Sequence, residues 1–143
     1  MKKKRWFLRI VVVLLVAFVA IQFWPVARTN PPVTKPLQAS PEVLAVLKRA
    51  CFDCHSNETV WPWYAYVAPV SWLVAHDVDD GRHELNFSHW GDYSPNKQSS
   101  KAGESVEKAQ SGEMPLENYL KLHPEAKLTP QDIQILERWA DDV

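Results

Sequence analysis

Cys51 and Cys54 are the only cysteines in the chain, and His55 follows the second directly, in the stretch Cys51-Phe52-Asp53-Cys54-His55. Any fold open to this chain must bring two thiols and an imidazole to one place. Three kinds of chemistry use such a pair of thiols. A thioredoxin-type dithiol belongs in a βαβ setting, which the sequence lacks, and gives no reason for His55 to follow. A zinc site would draw on both cysteines and one or two of the five histidines, yet there is no second C-x-x-C and no pair of histidines at finger spacing. Covalent haem accounts for every letter. Each thiol adds to one vinyl group, and the adjoining imidazole is placed under the iron as proximal ligand.

A six-coordinate iron needs a second axial ligand. The chain has two methionines, Met1 and Met114. A single methionine is commonly core filler, but such a residue sits in an apolar run. Met114 lies in Ser111-Gly112-Glu113-Met114-Pro115, between a helix-terminating glycine and a proline, on a loop that can offer its thioether to a metal. His76, His83, His89 and His123 read as surface residues, and any of them in place of Met114 would lower the iron's potential, because Met/His ligation raises it. Trp61, Trp63, Trp72 and Trp90 suit the walls around a flat apolar macrocycle, the alternative being a plain aromatic core, to which Trp139 is assigned. Arg82, Asn86 and the Trp90 indole are candidate donors to the haem propionates, since buried carboxylates demand donors.

The front of the chain is different in kind. Five of the sixteen Lys and Arg (Lys2, Lys3, Lys4, Arg5 and Arg9) precede or open an apolar stretch from Trp6 to Trp24, and none of the seventeen acids lies there. Its length roughly matches the ~20 residues a helix needs to cross a bilayer, with Arg9 snorkelling to the headgroups. A cleaved signal peptide competes, because Ile10 to Ile21 also has the length of a signal core, but no A-x-A cleavage pattern follows. Either way the basic end stays in the cytoplasm, and the rest is expected in the periplasm of a bacterium, held by a single pass through the inner membrane or released by cleavage. That exported part holds eleven basic residues against seventeen acids, so a nucleic-acid surface is not expected.

Beyond the anchor, Pro25 to Pro41 holds five of the eleven prolines and no hydrophobic periodicity, as a stiff spacer would. Ser40-Pro41-Glu42 supplies an N-cap, a first-turn proline and an acid at the helix dipole's positive end, and predicts a short helix running into Cys51. Thr129-Pro130-Gln131-Asp132 repeats the signal before a stripe of Ile133, Leu136 and Ala140. Further helices are expected around Ala68 to Asp80, Pro95 to Ser111 and Leu116 to Leu122, the last stopped by His123-Pro124. With no period-two alternation the class is all-α. The expected organisation is an anchor over residues 1–24, a Pro-rich linker over 25–40 and a c-type haem-binding domain over 41–143.

From Cys51 to Trp139 the chain is similar to the bacterial haem-binding domain family of membrane-anchored proteins. The residues that carry the resemblance are CFDCH, Trp61-Pro62-Trp63-Tyr64, Ala68-Pro69-Val70-Ser71-Trp72, Gly81-Arg82, Leu85-Asn86-Phe87-Ser88 and Trp90. It implies a small cytochrome c-like helical domain, with first and last helices crossing, preceded by an N-terminal transmembrane helix. It also implies the company of cytochrome c and dihaem peroxidase modules. The function expected is one-electron transfer by a single haem c, covalently held through Cys51 and Cys54 with His55 and Met114 on the iron, serving redox partner proteins without enzymatic turnover. A haem-based sensor or peroxidase-associated domain with an exchangeable sixth ligand is the alternative.

Overall fold

The computed structural model describes residues 2–143, and among these no strand occurs. The chain divides into two compact units, Met1–Arg28 with Trp61–Asp77, and Thr29–Val60 with Val78–Val143.

The larger unit carries the CFDCH stretch. Helix α2 (Pro41–Ala50) begins where the Ser40 hydroxyl accepts the Val43 N–H, and Val43, Val46, Leu47 and Ala50 form its buried face. At Cys51 the backbone leaves helical geometry (φ −127°) and restarts as a single turn, α3 (Phe52–His55). Helix α5 (Pro95–Ser111) runs over its expected span, starts at Ser94 and ends at Gly112 in the left-handed conformation (φ 74°) that glycine adopts without a Cβ penalty. The expected helix over Leu116 to Leu122 shrinks to one turn, α6 (Glu117–Leu120). The last helix, α7 (Pro130–Asp142), opens with a capping box: the Asp132 N–H donates to the Thr129 hydroxyl, and the Thr129 N–H donates to the Asp132 carboxylate.

Helix α7 packs on both α2 and α5. Leu47, Phe87 and Leu136 are sealed from solvent in the core between them. Each contributes roughly 1.5–3 kcal/mol of burial. An aromatic chain extends this core, with Phe52 stacked on Phe87 (5.2 Å), Phe87 on Trp90 (5.9 Å) and Trp90 tilted against Trp139 (5.6 Å). Arg49 fastens α2 to the approach to α7. Its guanidinium meets Asp132 at 2.7 Å and donates to the carbonyls of Glu125 (2.6 Å) and Lys127 (3.1 Å).

The Pro-rich segment has no regular structure from Pro25 to Ser40, as expected, but its second half is not a free spacer. The Leu37 N–H donates to the Phe87 carbonyl at 2.8 Å, the Gly91 N–H donates to the Lys35 carbonyl at 3.0 Å, and the Leu37 side chain is buried. An apolar residue among prolines can anchor the segment wherever a partner strip of backbone is open to it.

In the smaller unit, α1 (Lys2–Ile21) is followed by turns at Gln22 to Trp24. The Gln22 amide clamps Ala68 from both sides, accepting its N–H (2.9 Å) and donating to its carbonyl (3.2 Å). The Arg28 guanidinium donates to the Ala65 carbonyl and lies over the Tyr66 ring. Among the described residues no helix is long and apolar enough to cross a membrane, which corrects the expected N-terminal transmembrane helix. Lys2, Lys3, Lys4, Arg5 and Arg9 occupy the first part of α1, and the helix stops at Ile21. The uninterrupted apolar run Ile10 to Ile21 therefore covers only about 18 Å of a hydrocarbon core of about 30 Å. Met1, where the expected anchor begins, lies outside the described residues.

Helix α4 (Val70–Glu84) begins two residues after the expected Ala68 and ends one turn beyond the expected Asp80, and its second half, from Val78, belongs to the larger unit.

Candidate functional site

The CFDCH turn lies against the second half of α4, and Gly81 makes that approach possible. A Cβ at Gly81 would lie 2.6 Å from the Cys54 carbonyl oxygen and 3.1 Å from the Cys54 Cβ, inside any tolerable contact. With only hydrogen there, the Gly81 carbonyl comes within 2.8 Å of the His55 Nδ1, and the Leu85 carbonyl lies 3.2 Å from the same nitrogen. A carbonyl only accepts, so Nδ1 carries the proton and Nε2 is the nitrogen with a lone pair. Burial holds the His55 imidazole below its ordinary range, against the opposing pull of the Leu85 and Gly81 carbonyls. A neutral imidazole whose second nitrogen is anchored to backbone is the form in which histidine ligates a metal.

The two thiols sit on either side of the break at Cys51. The Cys51 carbonyl accepts the N–H groups of Cys54 (3.2 Å) and His55 (2.9 Å), so one turn of chain sets all three functional side chains. Both cysteines are half-buried. Burial, reinforced by the neighbouring Cys54, pushes the Cys51 thiol up to about 12, with Arg49 pulling weakly the other way.

Between the thiols, Asp53 binds two other parts of the unit. One carboxylate oxygen accepts the Val60 N–H (2.9 Å) and the other accepts the Tyr119 hydroxyl (2.7 Å), which projects from α6. Behind the turn is a buried polar layer. The Ser56 hydroxyl donates to the Phe52 carbonyl, the Asn57 N–H donates to the Ser88 hydroxyl, and the Thr59 hydroxyl donates to the Asp53 carbonyl. Ser56, Asn57 and Thr59 escaped the sequence reading. Their signal was an unbroken polar run, Ser56-Asn57-Glu58-Thr59, immediately behind the motif.

Arg82 and Asn86 point their donors into this layer. Arg82 donates to the Ser56 carbonyl (2.7 Å), the Thr29 carbonyl (2.8 Å), the Asn30 side chain (2.9 Å) and the Thr59 hydroxyl (2.9 Å). The Asn86 amide donates to Asn57 Oδ1, while its own oxygen accepts the Ser88 N–H, both at 2.9 Å. These bonds engage four of the five Arg82 N–H donors and one of the two Asn86 amide donors. The Trp90 ring belongs to the aromatic core described above.

Met114 is 38% exposed and so fills no core. Its backbone is nonetheless fastened. The Met114 N–H donates to the Lys108 carbonyl (3.1 Å), beside the Lys108 to Glu113 ion pair, and the Met114–Pro115 peptide is cis. The histidines that competed with it have other engagements. Both ring nitrogens of His89 are bonded, to Thr34 (2.8 Å) and Asn57 (3.1 Å), His83 Nδ1 donates to the Asp79 carbonyl, and His123 stacks on Tyr119 at 4.3 Å. His76 is exposed on the part of α4 that belongs to the smaller unit.

Trp63 and Trp72 lie in that smaller unit, 77% and 39% exposed. Trp61, also there, carries a buried indole Nε1 that has no hydrogen-bond partner among the described residues.

A family model described as a haem-binding domain matches residues 16–142. No curated protein and no solved structure matches the chain.

Proposed function

The chain belongs to the haem-binding domain family, and on that premise we propose that it is a c-type electron carrier with a single haem bound covalently through Cys51 and Cys54. The observation that carries this reading is the His55 Nδ1 to Gly81 carbonyl contact of 2.8 Å, which leaves Nε2 to face an iron. Haem supplies one-electron exchange between ferrous and ferric iron.

The residues have separate tasks. Cys51 and Cys54 fix the macrocycle to one turn of chain. His55 would hold the metal through Nε2, its ring fixed by the Gly81 and Leu85 carbonyls. Met114 would be the second protein ligand to the iron, favoured because its side chain fills no core while His89 has both ring nitrogens engaged. With His55 and Met114 both on the iron, substrate would have no access to it, and the protein would hand electrons to redox partner proteins in the periplasm without catalysing a reaction of its own. The acidic balance of the domain favours partners with basic surfaces.

The test is attachment. Cys51→Ala with Cys54→Ala, produced in a host competent for cytochrome assembly, is expected to give a polypeptide that loses all haem staining after denaturing electrophoresis, where the wild type stains. Persistent staining of the double variant would refute the covalent assignment. Carbon monoxide added to the ferrous wild type separates a carrier, which resists it, from a sensor with an open position.

A further inference from the structure

Asp53 lies between the two thiols, and its hydrogen bond to Tyr119 spans sixty-six residues of sequence. Tyr119 follows Met114 by five positions, with Pro115 and Leu116 leading into α6. Five residues reach at most about 18 Å when fully extended, so the Met114 backbone lies no farther than that from the Tyr119 backbone, whose hydroxyl is bonded to the CFDCH turn. The Lys108 carbonyl bonded to the Met114 N–H holds the same segment from its other end.

From this arrangement we infer that the Asp53–Tyr119 hydrogen bond is a latch that positions Met114 over the iron, so that the carboxylate inside the attachment motif controls whether the sixth position is closed. Three features support it. The bond is short, 2.7 Å, and its acceptor is a carboxylate, the kind of hydrogen bond that is worth most. The other Asp53 oxygen is held by the Val60 N–H, which keeps the carboxylate aimed. The Tyr119 ring is in turn backed by His123 in a near-parallel stack (13°). Tyr119 acts through Met114 and is a positioning residue. The inference rests on the reading of Met114 as ligand.

Tyr119→Phe removes the hydroxyl and keeps the ring. Compared as holoproteins, the variant is expected to lose part of the ferric thioether-to-iron band at the red end of the spectrum. It should also bind carbon monoxide in the ferrous state about tenfold faster, the factor that loss of one charge-assisted hydrogen bond produces. Haem content and far-ultraviolet dichroism should stay unchanged. Asp53→Ala should match it, while Asp53→Asn, whose amide can still take the Val60 N–H and donate to the Tyr119 oxygen but lacks the charge, should fall between Asp53→Ala and the wild type. A thioether band that survives intact in both Tyr119→Phe and Asp53→Ala overturns the latch alone. A wild type that shows no thioether band overturns the Met114 assignment and the latch with it.

Discussion

The His55 Nδ1 and the Gly81 carbonyl oxygen lie 2.8 Å apart, at the point where α4 comes so near to Cys54 that a methyl group would not fit between them. The two facts are one. The glycine permits the approach, and the approach gives the imidazole its acceptor.

Gly81→Ala should therefore act on stability and on the histidine together. The added Cβ would meet the Cys54 carbonyl at 2.6 Å, and backbone on both sides leaves little room to yield. A cost of about 1–3 kcal/mol is expected, as for other overpacked sites. Urea denaturation of the holoprotein measures it. An unchanged midpoint would show that α4 can shift without loss.

Met114→Ala addresses the sixth position directly. The side chain is exposed and supports no core, so the variant should fold as well as the wild type. Its reduction potential should fall, since thioether ligation raises it, and the ferric thioether band should vanish. Redox titration followed in the visible spectrum decides the matter, and an unaltered band would clear Met114 of the role.

Acid should expose the contribution of Asp132. Burial works to raise its carboxyl, but the Thr129 backbone N–H, the Arg49 guanidinium and the Thr129 hydroxyl together hold it below the ordinary value of 3.8. The unfolded chain then takes up the proton first, so the stabilisation is complete above about pH 4 and is lost as pH falls through the lowered folded value. Asp132→Asn should be about 1 kcal/mol less stable at neutral pH, the usual worth of a capping interaction. The difference should begin to shrink below about pH 4 and close once the pH lies below the lowered folded value. A gap that stays constant from neutral to strongly acid solution would mean the charge is not what stabilises.

Trp90 separates packing from cofactor contact. Its ring lies within 6 Å of Phe87, Tyr93 and Trp139. Truncation to alanine should cost about 3–5 kcal/mol, as for a large aromatic residue removed from a core. Trp90→Phe should restore most of that and leave haem content unaltered. If Trp90→Phe folded normally but lost haem, the indole would have a role at the cofactor that the core contacts do not describe.

Much of the fold was legible because the signals act over three or four residues. Ser40 caps α2 through Val43, Thr129 caps α7 through Asp132, and Gly112 ends α5, each where the sequence placed it. Residues whose partners lie far along the chain were harder. Arg82 and Asn86 were visible as donors, but acceptors at Thr29, Ser56, Asn57 and Thr59 stand between 23 and 53 residues away, and only packing brings them near. Leu37 looked like part of a spacer because the Phe87 backbone that receives it is fifty residues on.

By itself the sequence determined the chemistry of the site: two thiols and an imidazole within five residues, and the helical class of the chain around them. Covalent spacing cannot change when the chain folds, so that information survives in the letters. Tertiary structure alone decided which imidazole nitrogen is left for a metal, since this depends on a carbonyl twenty-six residues away passing a glycine at hydrogen-bond range. It likewise decided that α1 ends before its apolar run is long enough to cross a bilayer, because where a helix stops depends on the turns and contacts that follow it.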